Sequence, residues 1–146
     1  ALPIFFRGAD YTHEVNVISR IPNFVSINSA VEVDLFGQVN AEMVAGEQVS
    51  GTGGSVDFMR AARVSPGGRS IIAMPATTQR GAVSRIVPKV QMVTALRTDV
   101  DIVVTEHGVA NIKDLPIKAR AEALIKIAAP KFRDELRAEQ RKILSL

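Results

Sequence analysis

The order of apolar and polar residues along the chain predicts four strands. Three of them are short apolar runs bounded by turn-forming residues such as Pro22, Pro75 and Gly108. In the fourth, apolar residues alternate with Glu32 and Asp34, which is typical of a strand with one face in solvent. The predicted strands cover residues 24–28, 30–35, 70–74 and 100–105.

Other segments have the periodicity of helices. Residues 56–64 favour a short helix with Ser55 as its N-cap, residues 116–128 carry apolar side chains at helical spacing, and a further helix is predicted from Pro130 onward. Strands that alternate with helices indicate an α/β fold. Since no internal repeat or low-complexity linker divides the chain, residues 1–146 are expected to form a single domain.

The composition is that of an ordinary globular protein, with 47% hydrophobic and 23% charged residues. No stretch approaches the roughly 18 apolar residues that span a membrane, and no secretion signal is evident. The absence of cysteine excludes disulfides, thiolate nucleophiles and cysteine metal ligands. A cytoplasmic protein is therefore expected, and a chain that begins with Ala1 is compatible with a fragment of a longer protein.

The charge is unevenly distributed within a net charge of +3. Residues 58–98, hereafter the basic block, contain seven Lys or Arg and no acid. Such a block can attract a polyanion such as a nucleotide or a coenzyme A tail. Alternatively, its arginines pair with acids from elsewhere in the fold. Nucleic acid is the weaker candidate, because Phe58 is the only aromatic residue within the block that could stack on bases.

A glycine-rich loop at residues 50–55, hereafter the glycine loop, leads directly into the helix predicted at 56–64. Glycines let a ligand approach the backbone, and the N–H groups of a helix N-terminus can bind an anion or stabilise the oxyanion of an acyl transfer. A purely structural turn is an equally good interpretation. The loop lacks the third glycine of a dinucleotide fingerprint and the Gly-Lys-Ser/Thr of a P-loop.

Several acidic and histidine residues also suggest chemistry. Glu32 and Asp34 form either a paired acid or metal site or, more commonly, the exposed face of a strand. Glu106 ends the clearest predicted strand, where functional side chains often lie in α/β sheets, and a buried structural hydrogen bond is the equal alternative. His13 and His107 are too few and too far apart to indicate a metal site, so no metal is expected. No Gly-x-Ser-x-Gly nucleophile elbow is present.

Several motifs, in order and over most of the chain, resemble the acetyl-CoA hydrolase/transferase family. They are INSAVEVDLFGQVN at 27–40, SGTGGSVDF at 50–58, SRIVP at 84–88 and VVTEHGVA at 103–110, with RA at 120–121 and PKFR at 130–133. The resemblance implies a mainly parallel open sheet flanked by helices, of the NagB/RpiA/CoA-transferase kind. It also implies the C-terminal domain of a two-domain enzyme whose N-terminal domain is absent here.

The family resemblance implies a coenzyme A transferase that acts through an enzyme glutamyl-CoA thioester. Its substrates would be acyl-CoA and small carboxylates, with CoA as a substrate rather than a bound cofactor. The nucleophilic glutamate would lie in the missing domain, so this chain would be catalytically incomplete. An acyl-CoA hydrolase and a non-catalytic CoA- or polyanion-binding module are the alternative functions. The family further suggests a homodimer, with neither nucleic acid nor membrane as partner.

The same resemblance implies roles for particular residues. Asn28 and Gly51 match CoA-contacting positions, and the backbone around Gly51, Gly53 and Gly54 would supply oxyanion donors. Gln79 and Arg80 would contact CoA, although Gln79 stands where relatives often have lysine.

Overall fold

The computed structural model describes residues 3–144, which contain eleven strands and five α-helices. The strands are β1 (Val25–Asn28), β2 (Glu32–Asp34), β3 (Val39–Asn40), β4 (Met43–Val44), β5 (Glu47–Gln48), β6 (Arg69–Ala73), β7 (Thr77–Thr78), β8 (Val83–Ser84), β9 (Ile86–Val87), β10 (Ile102–Thr105) and β11 (Gly108–Asn111). The four predicted strands correspond to β1, β2, β6 and β10. The pattern of apolar and polar residues therefore predicted both ends of each of these strands to within two residues.

The helices are α1 (Ala9–Thr12), α2 (Val15–Ile18), α3 (Ser55–Val64), α4 (Ile117–Ile127) and α5 (Arg133–Ile143). The three predicted helices are present as α3, α4 and α5. The N-cap prediction is wrong by one residue: Gly54 occupies the N-cap, and the Ser55 hydroxyl donates to the Thr52 carbonyl 2.8 Å away. Within residues 3–144, no helix is both long and apolar enough to cross a bilayer.

The main sheet has the strand order β1-β6-β10-β11. β1, β6 and β10 are parallel, and β11 returns antiparallel to β10 through a tight turn. Two parallel strands need a long connection, and α3 supplies it between β1 and β6. The α/β prediction with a mainly parallel sheet and flanking helices is therefore confirmed.

The helices α3 and α4 pack on the same face of the main sheet. The Phe58 ring of α3 lies 6.3 Å from the Phe24 ring, just before β1, and the Thr105 hydroxyl of β10 donates to the Ile127 carbonyl of α4 at 2.6 Å. Side chains on this face are buried, including Ile72 and Val103, which are fully enclosed. The hydrophobic core therefore lies between the sheet and these helices.

A smaller sheet, β3-β2-β9, corrects the expectation of a solvent-facing pair of acids. Asp34 is completely buried, and its carboxylate accepts hydrogen bonds from the Phe36 N–H, the Gln38 N–H and side-chain amide, and the Val90 N–H. The Glu32 carboxylate accepts from Asn40 Nδ2 and the Gln91 N–H. Both acids thus stabilise the loops after β2 and β9.

Candidate functional site

Three parallel strands bring their carboxyl ends to one edge of the main sheet, at Asn28, Ala73 and Thr105. α3 ends at Val64 and only four residues separate it from the start of β6, so its C-terminus lies at the opposite edge. A ten-residue helix is about 15 Å long and a five-residue strand about 16 Å. The N-terminus of α3 therefore reaches the carboxyl edge, where open α/β sheets bind ligands.

The glycine loop presents a row of unpaired donors at this edge. Within residues 3–144, the backbone N–H groups of residues 51–57 donate to no acceptor, and the first helical bond runs from the Phe58 N–H to the Gly54 carbonyl at 3.2 Å. Gly54 provides no side-chain cap for α3. The helix dipole adds partial positive charge at the same point. The loop can therefore bind a phosphate, a carboxylate or a developing oxyanion.

The loop glycines differ in what surrounds them. A Cβ at Gly51 or Gly53 would meet no heavy atom within 4 Å, so both positions are open. Gly53 has a φ of +53°, a left-handed conformation that favours glycine. At Gly54 a Cβ would overlap the His13 ring, which lies against the Phe58 ring with 4.9 Å between centroids. Gly54 is thus required for packing, whereas Gly51 is available to a ligand.

Asn28 ends β1 on the helix-covered side of the sheet. Its Nδ2 donates to the Ser26 hydroxyl at 2.9 Å, which fixes the orientation of the amide. A shallow cavity of about 240 Å³ opens just beyond it, lined by Ser29, Ala30, Val31, Ala41 and Arg85. The cavity thus begins at the residue that directly follows Asn28.

Gln79 and Arg80 form the tip of the β7–β8 hairpin, which follows β6 from the same edge. Both residues have positive φ, 51° and 55°, and both side chains are exposed. The hairpin is anchored by Glu106 just after β10, whose Oε2 accepts from the Ala76 N–H at 2.7 Å. This hydrogen bond is the main reason that the pKa of Glu106 lies below its ordinary value. Glu106 therefore makes a structural hydrogen bond, as one of the two alternatives expected, but its side chain is half exposed rather than buried.

Much of the basic block is used inside the fold. Arg60 and Arg63 pair with Asp99 and Asp101, at 3.5 and 3.2 Å. Arg85 donates to the Val31 and Ala30 carbonyls. The alternative in which acids from elsewhere neutralise the block is thus confirmed for two of its arginines.

The fold brings Asn28, the glycine loop and the base of the β7–β8 hairpin to one edge. No hydrogen bond or ion pair within residues 3–144 joins Arg80 to the glycine loop. Sequence reasoning missed His13, because its contact with Gly54 arises from the packing of α1 and α2 against α3, for which local sequence carries no signal. Across the same residues, no cluster of three or more His, Asp or Glu could hold a metal ion.

A larger cavity, of about 360 Å³, lies away from this edge between α4 and α5. Charged side chains such as Lys118, Glu122 and Arg137 line it, and no residue of the glycine loop does. Its volume alone therefore does not make it the better candidate.

Comparison with known proteins identifies the kind of domain that carries this site. The pattern described as "Acetyl-CoA hydrolase/transferase C-terminal domain" matches residues 2–140. A 4-hydroxybutyrate coenzyme A transferase of Clostridium kluyveri is 51% identical over 92% of this chain and 32% of its own length. A butyryl-CoA:acetate CoA-transferase of Anaerostipes caccae is 45% identical over 87% of this chain and 30% of its own.

A solved structure supports the same relationship. The crystal structure of RipA from Yersinia pestis is 43% identical and superimposes with a TM-score of 0.88, covering 94% of this chain and 31% of that one. The chain thus spans about a third of the length of the relatives it matches.

Proposed function

Since the chain belongs to the acetyl-CoA hydrolase/transferase family, as a C-terminal domain, we propose that it binds coenzyme A in an enzyme that transfers CoA between small carboxylic acids. The observation that carries this proposal is the row of unpaired N–H groups at residues 51–57, at the carboxyl edge of the sheet. The two relatives described above are named as CoA-transferases, which supports transfer rather than another use of CoA.

The proposed reaction proceeds through covalent intermediates on a glutamate outside this chain. The glutamate carboxylate attacks the acyl-CoA carbonyl, a C–O bond forms, and the C–S bond breaks to release CoA thiolate. The thiolate attacks the glutamyl carbonyl of the resulting anhydride and releases the original acyl group as a carboxylate. An acceptor carboxylate then reverses these steps and leaves as the new acyl-CoA, so no external oxidant or reductant is needed.

Each residue at the edge has a specific role in this proposal. The N–H groups around Gly51, Gly53 and Gly54 stabilise the negative charge that develops on the thioester oxygen. Asn28 and Arg80 contact CoA, and Gln79 flanks Arg80 at the hairpin tip. Binding of the remote CoA tail contributes energy that lowers the barrier at the thioester.

Two other functions are distinguishable by experiment. A hydrolase uses water as acceptor, so its CoA release does not require added carboxylate; the family description covers both activities. A non-catalytic module binds CoA without forming a covalent intermediate. General attraction of polyanions would be revealed by comparable binding of a DNA oligomer that weakens steeply with salt.

The decisive experiment is trapping of the covalent intermediate. The full-length protein is incubated with acetyl-CoA, treated with borohydride, which reduces an enzyme thioester to an alcohol, and analysed by peptide mass spectrometry. We expect a modified glutamate upstream of residue 1. Modification of Glu106 or another residue of this chain would refute the placement of the nucleophile. CoA binding with no modification would favour the non-catalytic module.

The assembly and location of the protein are part of the same proposal. We expect residues 1–146 to form one domain that works with an N-terminal domain, in a cytoplasmic homodimer. The family resemblance supports the N-terminal domain and the homodimer, whereas the cytoplasmic location and the single domain rest on the sequence features described above. Size measurement of the full-length protein by light scattering tests the dimer.

A further inference from the structure

The face of the main sheet opposite α3 and α4 carries a continuous set of apolar side chains, hereafter the open face. Side chains alternate between the two faces along each strand, so this face is defined by the residues that alternate with Ser26, Ile72, Val103 and Ala110. Its apolar members are Val25, Ile27, Ile71, Ala73, Ile102, Val104 and Val109, and two polar residues, Arg69 at the start of β6 and Asn111 at the end of β11, lie at its margins.

Strand register places these residues side by side. Ile27, Ile71 and Ile102 form one row across β1, β6 and β10. Ala73, Val104 and Val109 form the next row across β6, β10 and β11. The open face is therefore a contiguous apolar surface.

The two faces differ sharply in burial. Ser26, Ile72, Val103 and Ala110, which face the helices, are all buried. No member of the open face is fully buried, and Ile27 and Val109 are each 65% exposed. Even Ile71 and Val104, on the central strands, remain partly accessible.

Such exposure is unusual for a sheet of this kind. Parallel sheets occur almost only with both faces covered, and contiguous apolar patches on soluble proteins usually mark a contact surface. The consecutive apolar residues Ile71-Ile72 and Val103-Val104 are what a strand buried on both faces requires. The open face therefore has the composition of a surface that is covered by a second layer.

We infer that the open face is covered by the part of the same polypeptide that precedes residue 1. The chain matches a C-terminal domain and accounts for about a third of its relatives, so about two thirds of a related polypeptide would lie before it. Ile4, Phe5 and Phe6, which would connect that part to this chain, are themselves 81, 74 and 89% exposed. This inference rests on family membership and on burial, and does not depend on CoA binding.

Cysteine labelling of the full-length protein tests the inference. Because this chain has no cysteine, single Val109→Cys and Ile27→Cys substitutions introduce unique thiols into it, and Cys is close to Val in size. The matched control is Val64→Cys on α3, since Val64 is 64% exposed against 65% for Val109. Alkylation by iodoacetamide is followed by peptide mass spectrometry, and unfolding in urea should equalise the three rates.

We expect Val109→Cys and Ile27→Cys to react more than about tenfold more slowly than Val64→Cys, with protection that is unchanged on dilution, because a covered thiol reacts only when the contact opens. Equal rates at the three positions would overturn the inference. Protection that disappears on dilution would also overturn it, since a second copy of the chain would then be the cover. Labelling requires no turnover, so it can fail or succeed independently of the proposed activity.

Discussion

Replacement of Gly51 by alanine separates the proposed role of the glycine loop from its structural role. Gly51 does not have positive φ, and a Cβ there would meet no heavy atom within 4 Å. Alanine should therefore be accommodated without strain. A Gly-to-Ala change of this kind stabilises a protein by about 0.4–1 kcal/mol by restricting the unfolded chain. The melting temperature should stay the same or rise by roughly 1–3 °C.

The added methyl group nonetheless occupies the space into which a thioester would bind. If the N–H groups of residues 51–57 contact the reacting carbonyl, the methyl displaces it by about 1 Å. A displacement of this size costs about 10²-fold in rate. That factor corresponds to about 2.7 kcal/mol of transition-state stabilisation. We expect the loss mainly in kcat, because an oxyanion contact strengthens only as charge develops.

The assay is CoA exchange between acetyl-CoA and a labelled carboxylate by the full-length protein, with thermal melting in parallel. Gly53→Ala adds strain of about 1 kcal/mol at φ +53°, and Gly46→Ala, with φ +87°, provides comparable strain outside the loop. Gly46→Ala should melt earlier and keep its activity. A Gly51→Ala enzyme with wild-type kcat and KM would refute the reasoning.

Three further predictions concern stability, each measured on the full-length protein. Asp34→Ala leaves the buried donors around Asp34 without their acceptor and should cost about 3 kcal/mol in urea unfolding, with Asp34→Asn costing about half as much; equal costs would contradict this account. Gly37→Ala should cost about 2 kcal/mol, because φ is +87° and a Cβ would lie 2.9 Å from Ile112; an unchanged urea midpoint would argue against it. Glu106 has a lowered pKa, so its contribution is present above pH 4.5 and lost as pH falls through the lower folded value. The melting-temperature difference between wild type and Glu106→Gln should therefore shrink below pH 4.5, and a constant difference would count against the Ala76 hydrogen bond.

The main sheet was predictable because its strands contain more apolar residues than a segment exposed at the surface usually does. β6 and β10 contain consecutive apolar residues, and each is bounded by a turn that local sequence specifies, such as Gly67-Gly68 before β6. α4 was predictable for a similar reason, since Ala121 and Leu124 recur at the period of a helix and both are buried. These patterns lie within short stretches of the chain, so they can be recognised in a single sequence.

The six two-residue strands were not predicted, because two residues are too few to show the alternation of a strand, and β9 in addition pairs with the distant strand β2. The burial of Asp34 was missed for a different reason. Alternation shows that the two faces of a strand differ, but it does not show which face the rest of the protein covers. One local signal was available, because an aspartate followed three residues later by Gly37 is typical of a turn in which the carboxylate accepts backbone N–H groups. The observed bonds from Phe36 and Gln38 have this form.

The charge of the basic block gave a broader expectation than the folded protein supports. Arg60 and Arg63 are paired with Asp99 and Asp101, acids that follow the block directly in sequence. Over residues 3–144, the exposed side chains of Arg80, Lys89 and Arg97 have no hydrogen bond or ion pair. Only Arg80 is also a position that the family resemblance connects with CoA.

Charge and backbone therefore contribute differently to the proposed site. A surface guanidinium is screened by salt within about 8 Å at physiological ionic strength. Backbone N–H groups at the start of α3 are fixed by the fold and need no rearrangement when negative charge develops beside them. In the proposed function, long-range attraction of a CoA phosphate would therefore come from Arg80, and stabilisation of the reacting thioester from the glycine loop. The sequence showed both the basic block and the glycine loop, but it did not show their separate roles. Those roles depend on which arginines pair with acids and which N–H groups lack an acceptor, and only the fold determines both.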